Sequence, residues 1–168
     1  LWRTTRVNAD ILKNIAHTYG TPSYIFNVDE LESRLNTIKQ ILGEGIDVLY
    51  AMKANPFLVP VMSRLGMRFE VCSPGEFAIC ENEHVNMQDI VLSGVNKERA
   101  DIEHVMDDCG GVGIYTVESV RHFQLLASMA EKRSTVIHVL LRVTSGNQFG
   151  LDEEDIENII SKRDEFKY

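Results

Sequence analysis

No stretch of the sequence approaches the roughly 18 consecutive apolar residues that a membrane-spanning helix requires. Basic residues are the minority: 17 Lys and Arg stand against 25 Asp and Glu, a formal charge of -8, with no Lys and Arg cluster that could follow a phosphate backbone. A membrane and a nucleic acid are therefore not expected as partners, whereas a cationic or zwitterionic small molecule suits the acidic balance. Cysteine is scarce, with three residues (Cys72, Cys80 and Cys109) and no CxxC pair, and the five histidines are scattered. Neither a disulfide framework nor a metal site is expected from such spacing, and a soluble protein of the reducing cytoplasm fits it best. A GxGxxG turn after the first strand is also missing, which removes the usual dinucleotide-binding form of an α/β fold.

What is present is ordinary globular material: 168 residues, 44% hydrophobic and 25% charged, enough for one core. Apolar, β-rich runs alternate with helical patterns. "SYIFN", "VLYAMK", "RFEVCS", "IVLSG", "GVGIYT" and "VIHVLLRV" read as strands, spaced about 20 to 26 residues apart, which suits parallel strands joined by helices. Asp29 is the expected cap of "ELESRLNTIKQIL", with Gly43 as its stop. Ser73 and Pro74 open "GEFAICENE", Asn96 opens "KERADIEHVMDDC", and Glu118 falls in the first turn of "VESVRHFQLLASMAEKR". Strands apolar on both faces, such as Val136 to Val143, predict a sheet covered on both sides. The expected fold class is α/β, a (β/α)8 TIM barrel represented by about six βα units where closure needs eight. The expected domains are a lead-in segment and helix over 1–22 and the partial barrel over 23–168. The chain opens on Leu1 and ends on a polar helical pattern, so it reads as part of a larger protein.

In such a barrel the chemistry gathers where strands end. Lys53, Ser73, Ser93, Thr116 and Arg142 are the polar residues at those positions; Ser and Thr there also cap helices, and Arg can close a strand against solvent. Glu70 and Arg142 border apolar strands, where a charge needs a partner. Lys53 stands at the end of "VLYAMK", with small Ala51 beside it and Asn55-Pro56 turning the chain away. Burial in an apolar barrel would lower the amine's pKa and let it form a Schiff base with a carbonyl. An edge lysine that blocks aggregation has the same spacing. Cys72 and Cys80 are expected in the barrel wall and in the helix packing respectively.

"YAMKANP", "FEVCSPGE", "IVLSGVNKE" and "RVTSGNQFGLD" occur in this order, and together the chain resembles the fold type III pyridoxal-phosphate decarboxylases. These include the diaminopimelate and eukaryotic-type ornithine decarboxylases, with alanine racemases as distant relatives. The resemblance implies an alanine racemase-like barrel, a C-terminal β domain outside this chain, pyridoxal 5'-phosphate as cofactor, an amino-acid substrate and, in the full-length form, a homodimer. It assigns Lys53 as the cofactor-bearing lysine and proton carrier. Glu70 stands where relatives carry an acidic residue, usually Asp, and Arg142 matches a strand-end arginine, both as electrostatic support; Ala51 completes the cofactor-binding set. Ser73-Pro74-Gly75-Glu76 in place of Ser-Gly-Gly-Glu, and Gln148-Phe149-Gly150 in place of Lys-Phe-Gly, point to a branch acting on a modified amino acid in secondary metabolism. The phosphate-binding motifs of the family are not in this sequence, so the chain alone is expected to hold the cofactor weakly and to be inactive. A racemase of the same fold and a non-catalytic regulatory relative are the alternatives.

Overall fold

A side chain's alternation along a strand decides which way it faces, and here that alternation separates a helix-packed layer from a polar one. The computed structural model describes residues 8–146 and 149–168. They form two compact units, the first ending at Ile46 and the second running Asp47–Tyr168.

The first unit contains two helices, α1 (Ala9–Tyr19) and α2 (Val28–Leu42). The Asn8 side chain accepts the Asp10 N–H at 2.8 Å to open α1, and Asn27 accepts the Glu30 N–H at 3.1 Å to open α2. Asn27 therefore takes the capping role expected of Asp29, which lies in the first turn, where its charge complements the helix dipole. Gly20 and Gly43 follow the two helices. The run "SYIFN" forms no strand: its backbone has no ladder partner among the described residues, and Tyr24, Ile25 and Phe26 are exposed. Strand propensity describes a chain that fits a pleated surface, and without a neighbour to pair with it produces only extended coil.

The second unit is a five-stranded parallel sheet with strands in chain order. The strands are β1 (Leu49–Ala51), β2 (Arg68–Val71), β3 (Ile90–Leu92), β4 (Ile114–Val117) and β5 (Val139–Leu141). Five strands thus stand where about six were expected, the difference being "SYIFN". Helices α3 (Val59–Arg64), α4 (Pro74–Asn82), α5 (Arg99–Glu103) and α6 (Val120–Arg133) join successive strands, and α7 (Glu153–Ser161) follows β5. A parallel order that never reverses is that of a barrel wall, because a doubly wound sheet must change direction at a switch point.

One face of the sheet carries Phe69, Val71, Ile90, Leu92, Tyr115 and Val117, all buried, together with Phe77 of α4, Ile102 of α5 and Leu126 and Met129 of α6. The register sets the other face: Ala51 stands opposite Glu70, Glu70 opposite Val91, and Val91 opposite Ile114. Glu70, Val91 and Ile114 therefore share one surface, the concave one, and polar residues are admitted there.

Two further helix starts differ from the sequence expectation. Helix α5 begins at Arg99 with Glu98 at its cap rather than at Asn96, and it continues as a π-helical turn over His104–Asp108. Helix α6 is capped by Ser119, whose Oγ accepts the His122 N–H at 3.2 Å, so Glu118 is not in its first turn and is turned inward. By contrast, Ser73 caps α4 as expected, accepting the Glu76 N–H at 3.3 Å, while the Glu76 carboxylate reaches back to accept the Cys72 N–H at 2.6 Å. Cys80 is buried on α4, in the helix packing where it was expected, and all three cysteines are free thiols.

Candidate functional site

Alternate residues of the strands, such as Glu70, Val91 and Ile114, and of the segments just beyond their C-terminal ends line one cavity of about 840 Å³. Its polar lining includes Lys53, Glu70, Cys72, Ser93, Thr116, Glu118 and Arg142. Of the polar strand-end residues singled out in the sequence, Lys53, Ser93, Thr116 and Arg142 line this cavity, whereas Ser73 is used as a helix cap. Ala51 ends β1 opposite Glu70 and is half-buried. Gln148 of the "NQFGLD" motif lies outside the described residues.

Lys53 sits in a short 3-10 turn, Met52–Ala54, that continues from β1; Met52 is buried and anchors the turn. The apolar enclosure expected around the amine is not found, since the Lys53 side chain is 61% exposed. Its Nζ lies 3.8 Å from Glu70 Oε2, an ion pair at longer than hydrogen-bond distance. The other carboxylate oxygen of Glu70 accepts a hydrogen bond from Ser93 Oγ at 3.0 Å, and that hydroxyl lies 3.1 Å from Cys72 Sγ. Ser93 thus fixes the rotation of the carboxylate that Lys53 faces. Burial pushes the Cys72 thiol up, with the Ser93 hydrogen bond working against it.

A second polar group stands beside the first. Glu118 has only 3% of its side chain exposed, and Arg142 Nη1 donates to its Oε2 at 2.7 Å. The backbone N–H of Gly94 donates to Glu118 Oε1 at 3.1 Å. Gly94 has φ +97°, and a Cβ there would collide with the Cys72 carbonyl, so no side-chain-bearing residue could bring its N–H to this carboxylate without displacing the chain. The Gly94 carbonyl accepts from Lys97 Nζ at 2.6 Å. Lys97 is almost fully buried, and burial lowers its pKa to about 8 in spite of the opposing pull of Glu118. The guanidinium of Arg142 also lies over the Phe149 ring, 5.2 Å from its centroid.

Glu118 and Lys97 were not among the sequence candidates. The signal for Glu118 was available, because it follows the apolar run "IYTV" as Arg142 follows "VLL", and the same cost of a charge beside an apolar strand applies to both.

A concave cavity at strand ends, with one exposed amine held near a carboxylate and an arginine anchored nearby, suits an anionic aldehyde cofactor that must be held by imine formation. The donor set fits: Lys53 Nζ is a primary amine open to the cavity, and Arg142 supplies a fixed positive charge. The family model of the pyridoxal-dependent decarboxylase pyridoxal-binding domain matches residues 28–159, and the chain belongs to that family.

Among curated relatives, the chain is 32% identical over 137 residues to the diaminopimelate decarboxylase of Halalkalibacterium halodurans, covering 79% of this chain and 31% of that protein. It is 26% identical over 136 residues to the L-glutamyl-[BtrI acyl-carrier protein] decarboxylase of Niallia circulans, over 79% of this chain and 31% of the relative. Among solved structures, the diaminopimelate decarboxylase of Helicobacter pylori complexed with L-lysine superposes with a TM-score of 0.78 at 18% identity, over 94% of this chain and 44% of that one. The lysine/ornithine decarboxylase of Vibrio vulnificus complexed with putrescine gives 0.74 at 18% identity, over 96% and 44%. These likenesses establish the fold as part of a TIM-type α/β barrel. The chain spans about a third of the length of the curated relatives it matches.

Proposed function

We propose that this chain is the pyridoxal-phosphate-binding portion of a decarboxylase acting on an amino acid, with Lys53 as the cofactor-bearing residue. The observation that carries the reading is the position of Lys53 Nζ, open to the strand-end cavity and 3.8 Å from Glu70. When bound, pyridoxal phosphate supplies an electron sink for the pair left on the substrate carbon as carbon dioxide departs. Glu70 holds the Lys53 amine toward the cavity, and Ser93 keeps Glu70 in that orientation. Arg142, braced by Glu118, presents positive charge to an anionic group in the cavity. Lys53 Nζ is the proton carrier of the site, with Glu70 the carboxylate that faces it. Ala51, which ends β1 opposite Glu70, completes the cofactor-binding set.

The substrate is an amino acid, and a modified one suits both the departures in the "FEVCSPGE" and "NQFGLD" motifs and the carrier-linked glutamyl group named for one relative. The working form is a homodimer in the cytoplasm. The three free thiols support a reducing compartment, and no helix among the described residues is long and apolar enough to cross a membrane. The test is borohydride reduction with pyridoxal phosphate of a form that also carries the family's phosphate-binding motifs, followed by peptide mapping. Phosphopyridoxyl label concentrated on Lys53 supports the reading; label spread evenly over the exposed lysines overturns it.

A further inference from the structure

We propose that Glu81, His104 and Cys109 form a three-ligand site for a divalent cation of the zinc class, outside the lining of the cavity that holds Lys53. Sequence spacing gave no such expectation, because the ligands are assembled by the fold: Glu81 comes from α4, and His104 and Cys109 from the end of the next connection.

The geometry is that of a half-built coordination shell. Glu81 Oε1 lies 2.9 Å from His104 Nε2 and 3.3 Å from Cys109 Sγ, and Sγ lies 3.8 Å from Nε2. Around a tetrahedral zinc with bonds of about 2.0 to 2.3 Å, donor atoms stand about 3.3 to 3.7 Å apart, so small side-chain adjustments seat the ion. The π-helical turn makes this possible. The Cys109 N–H bonds to the His104 carbonyl at 3.3 Å, five residues back, and the wider turn brings positions i and i+5 toward one face, where an α-helix would separate them.

The support around the histidine points the same way. His104 Nδ1 lies 2.7 Å from Asp108 Oδ2, the carboxylate contact that orients a metal-binding imidazole, and Nε2, which lies 2.9 Å from Glu81 Oε1, is the nitrogen an ion would take in place of the proton shared with that carboxylate. One thiolate, one imidazole and one carboxylate match zinc-class cations better than magnesium or calcium, which prefer oxygen alone. Three protein ligands leave a fourth position for water, and the His104 side chain, 43% exposed, opens the site to solvent. Binding requires that Cys109 give up its thiol proton to the solvent and that Nε2 be free of a proton; nothing is oxidised or reduced.

The proposal stands independently of the cofactor reading. The test is titration of the reduced, chelator-stripped 168-residue chain with Co²⁺, followed by displacement with Zn²⁺. One Co²⁺ per chain is expected, with a thiolate-to-metal charge-transfer band and the intense visible bands of four-coordinate cobalt, bleached by Zn²⁺. Cys109→Ser and His104→Gln should each abolish the charge-transfer band or weaken binding at least about tenfold, Asp108→Asn should weaken it by about 10- to 100-fold with the band retained, and Cys72→Ser should leave it unchanged. Circular dichroism of each variant separates lost ligation from lost fold. Absence of stoichiometric cobalt in the natively folded chain, or an identical band in Cys109→Ser, overturns the site.

Discussion

Glu118 and Arg142 form a 2.7 Å ion pair whose two ends differ sharply in exposure: 3% of the glutamate side chain meets solvent, against 44% of the arginine. The consequence is an asymmetry between the two deletions. Arg142→Leu leaves a buried carboxylate with the Gly94 N–H as its remaining hydrogen-bond donor among the described residues and should cost about 3 to 5 kcal/mol, whereas Glu118→Gln leaves an arginine that water can reach and should cost about 1 to 3 kcal/mol. Urea unfolding of the two variants checks the order, and equal costs would show that the pair's environment is symmetric.

Lys53→Ala should leave stability within about 0.5 kcal/mol, because an exposed side chain at a long ion-pair distance contributes little. The same variant should lose the borohydride-trapped label. Parallel thermal melts and mass spectrometry read both effects, and a large loss of stability would assign Lys53 a structural role.

Lys97 sets a pH dependence of definite sign. Its pKa is about 8 in the folded chain against an ordinary 10.5, with burial as the main cause and Glu118 and Cys72 as opposing charges. Between those values the unfolded chain binds the proton that the folded chain has released, so this residue's contribution to stability rises with pH across the window and its full cost is felt below it. The difference between wild type and Lys97→Met, measured by denaturant unfolding from pH 7.5 to 10.5, should therefore change by on the order of 3 kcal/mol in favour of wild type. A flat difference would mean that Lys97 is solvated.

His122 works in the same direction at the acid end. It is buried with Nδ1 unpartnered among the described residues, and burial lowers its pKa, with the charge of Lys97 adding to the effect. Stability should therefore fall as pH drops through the ordinary histidine value, and His122→Phe should reduce that fall. Unfolding midpoints measured from pH 7.5 to 5 decide it.

Gly94→Ala should destabilise by about 3 kcal/mol or more, because a Cβ at φ +97° meets both backbone strain and the Cys72 carbonyl. A melting temperature within a few degrees of wild type would show that the loop can shift.

The sheet was legible because its strands are short apolar runs punctuated by helix caps, and Ser73-Pro74 and Gly43 fell where propensity puts them. "SYIFN" was not, because its run of three β-prone residues satisfies the local rule for a strand while pairing is a property of neighbours. Lys53, Glu70 and Arg142 were visible as charges beside apolar runs. Glu118 carries the same signal but also suits the first turn of a helix, and only the position of Ser119 as the cap decides between them. Lys97, Glu81, His104 and Cys109 were hidden for a different reason: the first looks like a surface lysine in sequence, and the other three meet through a π-helical turn that no spacing rule anticipates.

The 3.8 Å separation at Lys53 also bears on timing. An exposed lysine whose contact among the described residues is an ion pair longer than a hydrogen bond reorients by rotamer hops on the picosecond to nanosecond scale. Arg142, held to Glu118 at 2.7 Å, is the more fixed of the two cations, and Lys53, 3.8 Å from Glu70, is the looser one.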